Sequence, residues 1–102
     1  MKKLGHGDVR LFREKMPKDG LIDEKTNIVQ WGEVTNHAHR LTGGKATLYT
    51  HVPTKTRWLK VVEPVSLKHE EHHTIEIPPG EYRIGIVRET DHLEGVTRQV
   101  AD

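Results

Sequence analysis

Apolar residues in this chain recur at every second position, in short runs closed by glycine or proline. Alternation of this kind lines one face of a strand, and turn residues at regular spacing favour an all-β domain. The clearest run covers residues 45–52, where Ala46, Leu48 and Thr50 oppose Thr47, Tyr49 and His51, and Pro53 ends it. Further strands are expected at residues 9–12, 27–34, 37–41, 57–62, 65–69, 74–77 and 81–89. Gly43-Gly44 marks a hairpin, and Pro78-Pro79-Gly80 a turn. Residues 14–27 are polar and read as a loop with at most one helical turn, while residues 94–102 read as a short terminal helix or tail. The expected fold is therefore a small antiparallel barrel or sandwich with a short C-terminal helix or tail. It forms one domain over 1–102: a strand and polar loop over 1–30, a strand-rich core over 31–89 and a tail over 90–102.

The material for a core is sparse. Hydrophobic residues make up 33% and aromatic residues 5%, so a metal ion or a second copy of the chain is expected to support the fold. Trp31 and Trp58 read as core anchors on the same ground. Sixteen basic and fifteen acidic residues leave a net charge of +1, which makes no case for nucleic acid. The stretch Lys55, Arg57, Trp58, Lys60 reads as a solvated strand face with Trp58 turned inward in preference to a nucleic-acid contact. No apolar run approaches the roughly 18 residues of a membrane span, and no apolar segment follows Lys2-Lys3 as a secretory signal requires. A cytoplasmic location is the expectation.

Eight histidines and no cysteine confine any metal to nitrogen and oxygen donors. Five of the histidines fall in two clusters: His37 and His39, then His69, His72 and His73. A spacing of two on a strand puts His37 and His39 on one face, and the spacing of His69 and His72 suits a helical turn or a tight loop. Two or three strands cover the thirty residues between the clusters, so they can meet. The candidate ligands are His37, His39 and His69, with His72 or His73 as the fourth, and zinc is the best match to such a donor set. Glu70 or Glu71 is a candidate oxygen ligand or proton acceptor beside a metal-bound water, with Arg40 holding an anionic group. Glu33, Glu70, Glu71 and Asp91 are available to orient the rings. The alternative is a set of solvated histidines on a polar face. His6, His51 and His92 stand alone and carry no expected role.

The segments Gly32-Glu33-Val34-Thr35-Asn36-His37-Ala38-His39-Arg40, His69-Glu70-Glu71-His72 and Ile77-Pro78-Pro79-Gly80-Glu81-Tyr82 resemble a group of small uncharacterised proteins of phage and bacterial genomes. The resemblance covers residues 31 to about 102 and includes Arg98, Val100 and Asp102. It implies origin and motif boundaries, favours His72 over His73, and carries no activity. The His-x-His after Gly32-Glu33 also looks like half of the first cupin motif, although no Pro-x-Gly-x-x-His second motif follows. Two functions are expected from these readings. One is a metal-binding protein that carries out metal-assisted hydrolysis. The other is a non-catalytic, phage-derived module that assembles with itself or docks on a larger complex.

Overall fold

The computed structural model describes residues 3–32 and 37–87, together with the backbone of 89–91 and 96–98. Where side chains alternate, the chain is extended. Twelve strands run among the described residues: β1 (Lys3–His6), β2 (Val9–Arg13), β3 (Leu21–Asp23), β4 (Ile28–Trp31), β5 (Ala38–Thr42), β6 (Lys45–His51), β7 (Thr56–Glu63), β8 (Val65–His69), β9 (His72–Ile77), β10 (Gly80–Ile86), β11 (Glu89–Asp91) and β12 (Val96–Arg98).

These strands build a six-stranded sheet, in the order β1-β2-β10-β7-β6-β3, and a four-stranded sheet, in the order β4-β5-β8-β9. All neighbours pair antiparallel. The two sheets pack as a sandwich. Val9, Leu11, Leu48, Leu59 and Tyr82 from the larger sheet and Val29, Leu41, Leu67 and Ile77 from the smaller one share a single apolar cluster. Alternation sets which residues enter it. Val65, Leu67 and His69 all face inward on β8, while Lys68 between them is exposed.

The structure departs from the sequence reading in four places. Residues 3–6 form an edge strand, joined to β2 by the two-residue turn Gly7-Asp8. Residues 21–23 form a second edge strand inside the region read as loop. Ile22 there is 59% exposed, so an edge position leaves little apolar pattern to read. Trp58 is buried, but Trp31 is 58% exposed and is no core anchor. A register shift between Ile28 and Gln30 places Trp31 opposite Ala38, off the face that Val29 turns to the core. Finally, residues 96–98 pair with 89–91 as a hairpin in place of the helix read over 94–102. Val96 and Thr97 are β-branched and favour extended backbone. Residues 92–95 and 99–102 lie outside the described residues.

One polar clamp spans the two sheets. Arg57 on β7 donates to both carboxylate oxygens of Glu24, at 2.7 and 2.9 Å. Its remaining arm donates to the Val29 carbonyl on β4, at 2.5 Å. The Thr50 hydroxyl completes the Glu24 shell at 2.8 Å. The hydrogen bond from Arg57 holds the Glu24 carboxyl below the ordinary carboxylate range, against the opposing effect of burial. A lowered folded-state value means that the stabilisation is present above the unfolded value and is lost as pH falls through the folded one. Glu24→Gln is expected to cost roughly 1–3 kcal/mol at neutral pH, or about 5–15 °C in melting temperature. Thermal melts against pH should show this deficit at full size above about pH 5 and shrinking below about pH 4. A deficit independent of pH would remove the carboxylate from the clamp.

Candidate metal centre

Two tight turns bring the histidines together. Gly7-Asp8 connects β1 to β2, with His6 opposite Val9. Gly7 adopts φ +62°, as the first position of a type II′ hairpin turn requires. Glu70-Glu71 connects β8 to β9, with His69 opposite His72. Residues opposite each other across a two-residue hairpin share a face, so both rings turn the same way. β5 pairs with β8, and this brings His39 alongside. The ring centroids of His39 and His69 are 4.5 Å apart, those of His69 and His72 are 4.6 Å apart, and those of His6 and His39 are 4.9 Å apart.

One ligand atom from each of His39, His69 and His72 falls within 4.8 Å of the other two. His39 is fully buried, His69 is 8% exposed and Asp8 6%. The His72 Nε2 is sequestered from solvent and has no hydrogen-bond partner among the described residues. Gly7 packs so closely on this group that an added Cβ would lie 2.6 Å from His72 Nε2 and 2.9 Å from His39 Cε1.

Hydrogen bonding assigns the proton positions. A carbonyl only accepts, so His6 Nε2 donates to the His73 carbonyl at 2.8 Å. In a neutral His6 ring, Nδ1 then accepts, and its partner at 2.8 Å, His39 Nδ1, donates. His39 Nε2 lies 3.3 Å from Asp8 Oδ1; with a proton there as well the ring is an imidazolium paired with the carboxylate, and an ion bound through Nε2 takes that proton's place. The same chain of bonds fixes ring orientation, as outer partners of metal-binding histidines do. His69 is held differently, because the Glu71 amide donates to its Nδ1 at 3.0 Å. Ligation through His69 Nδ1 replaces that bond. Ligation through Nε2 forces its proton to leave or to move to Nδ1, where the amide can no longer donate.

A family model for a domain of unknown function, DUF8820, matches residues 5–87. The chain belongs to this family. The match takes in both tight turns and His39, and it reaches well into the N-terminal segment where the sequence resemblance was weaker. No curated protein and no solved structure matches the chain.

Of the residues singled out from sequence, His39, His69 and His72 meet at one point, whereas His37 stands apart from it. β5 begins at Ala38, so strand alternation does not carry His37 inward with His39. The His37 Nδ1 instead contacts Glu71 Oε2 at 2.9 Å, and a second group of possible ligands joins His37 to His69 and Glu70. His73 is exposed on β9 and contributes its carbonyl. Arg40 donates to Glu70 Oε2 at 2.7 Å, and the Ala38 amide donates to Oε1 at 3.0 Å. Arg40 first, and then the Ala38 and Glu70 amides, hold the Glu70 carboxyl down to about 2. So weak a base is poorly matched to proton transfer near neutral pH, and Glu70 acts here as an anchor for Arg40 and for the start of β5. Among the proposed orienting carboxylates, Glu33 lies outside the described residues, as does the side chain of Asp91.

Sequence reasoning missed His6 and Asp8. Each stands outside the histidine clusters; Gly7-Asp8 is a readable two-residue hairpin signal, but the strands it comes to face lie far away in sequence.

Gly7→Ala tests the packing against a matched control. Gly43 has a similar φ of +71°, but nothing lies within 4 Å of where its Cβ would be. Gly43→Ala is expected to lose about 1–2 kcal/mol from backbone strain alone. Gly7→Ala should lose about 2–4 kcal/mol and shift the His39 and His72 ring resonances. Equal losses in chemical denaturation would remove the close approach of Gly7 to the rings.

Proposed function

We propose that the protein binds a divalent transition-metal ion, zinc being the best match, on His39, His69 and His72 with Asp8 beside them. The observation that carries this reading is the convergence of three ligand atoms from three strands within 4.8 Å of one another, in a region where His39 is fully buried. Ligand nitrogens of tetrahedral zinc at about 2.0–2.1 Å stand roughly 3.3 Å apart. A contraction of an ångström or so therefore turns the group into a ligand set. Donor chemistry agrees, since imidazole nitrogen and carboxylate oxygen suit zinc and its neighbours. His6 supplies the outer hydrogen bond that directs His39.

A groove of about 300 Å³ lined by Arg40, Thr42, Lys68, His69 and Glu70 runs beside the group. Its two cations favour an anionic substrate, and the ion would supply Lewis-acid activation of water for hydrolysis of such a substrate.

Dialysis against zinc followed by elemental analysis should give one ion per chain, lost in His39→Ala and in His72→Ala. Saturation at about a hundred times the dissociation constant should add roughly 2.7 kcal/mol, or about 10–20 °C in melting temperature. Absence of bound ion and an unchanged melt would overturn the reading. With metal bound, hydrolysis of phosphate or carboxylate ester substrates that fails in Arg40→Ala supports a catalytic site, and metal without turnover supports a structural one.

The docking reading has one observation of its own, Trp31, 58% exposed on edge strand β4. If a second copy covers it, light scattering should show a dimer that Trp31→Ser converts to monomer. A wild-type monomer at high concentration would end self-assembly as an explanation.

A further inference from the structure

We infer that His37, His69 and Glu70 form a second cation position at the rim, from which a divalent metal ion passes to the buried one. This rests on the metal-binding reading above. Ligand atoms of these three residues lie within 4.8 Å of one another, and their exposure rises from buried His69 through half-buried His37 to exposed Glu70. The set therefore runs from solvent to the buried centre.

Each member is prepared for a cation. The Glu71 carboxylate accepts the His37 Nδ1 hydrogen at 2.9 Å, which leaves the lone pair on Nε2. Glu70 stands at the exposed end of the set. The Ala38 amide and Arg40 hold its two oxygens in place beside the rings. Gly32 keeps the space between them narrow. A Cβ there would lie 3.2 Å from His69 Nε2 and 3.4 Å from His37 Cβ.

His69 belongs to both groups. A neutral imidazole offers one lone pair, so an ion at the rim and an ion at the centre compete for it. The two positions are successive, and the chain holds one ion at a time. Movement inward exchanges His37 and Glu70 for His39 and His72 while His69 stays bound. Capture through His69 Nε2 transfers its proton to Nδ1 and gives up the Glu71 amide contact; the inward step then exchanges metal–ligand bonds alone.

Stopped-flow mixing of metal-free protein with zinc, read by a fluorescent chelator, tests the order of events. In the wild type, the observed rate should saturate with zinc concentration, as capture followed by transfer requires. His37→Ala should load roughly tenfold more slowly, without saturation, yet still reach one ion per chain. Glu70→Gln, which keeps the shape of the side chain, should slow loading in the same direction. His39→Ala should retain weak, His37-dependent binding. Loading of His37→Ala at the wild-type rate, or two ions per wild-type chain at saturation, would overturn the inference and leave the buried centre standing. No uptake by the wild type would overturn both.

Discussion

The hydrogen bond from His6 Nε2 to the His73 carbonyl joins the outer strand of one sheet to the outer strand of the other, β1 to β9. Edge strands otherwise offer unpaired backbone groups to solvent or to a second chain. Here an imidazole closes the gap, and because a carbonyl can only accept, the bond also puts a proton on His6 Nε2. That placement determines the proton position on His39. A contact that holds two sheets together thus sets the chemistry of a ring on the opposite strand, and the arrangement of the centre follows from the closure of the sandwich.

Much of this was legible in the sequence because strand alternation carries information about direction. Val65, Leu67 and His69 share a face on β8, as their spacing requires, and the tight-loop alternative for His69 and His72 is the one that forms. The failures have equally local causes. His37 precedes its strand by one residue, so a spacing of two no longer means a shared face. A bulge moves Trp31 off the inner face, and no composition argument detects a bulge. His6 and Asp8 required knowledge of pairing between distant strands, which a single sequence does not contain.

Glu70 and Glu71 sit side by side in one turn and take different roles. Glu70 is bound to Arg40 and to the Ala38 amide, which ties the turn to the start of β5 and holds its carboxyl near 2. Glu71 reaches His37 with its side chain and His69 with its amide. The turn therefore acts on two imidazoles through Glu71 and on the start of β5 through Glu70. Its Glu70 pairs with Arg40 at the edge of the neighbouring groove, where Lys68 is exposed.

The sparse core gives these polar contacts unusual weight. Burying a polar group without a matching partner costs on the order of 1–3 kcal/mol, and a small domain has only about 5–15 kcal/mol of net stability. A chain with 33% hydrophobic residues places His39 and Asp8 where larger domains place leucine. With His6 bonded to His39 and to the His73 carbonyl, this end of the sandwich is held by directional contacts. With an ion among them, the same rings would be held by stronger bonds, at the expense of the Glu71 amide contact to His69. Metal loading as proposed would be coupled to closure of the two sheets, because β5, β8 and β9 belong to one sheet while His6 and Asp8 reach them from the other.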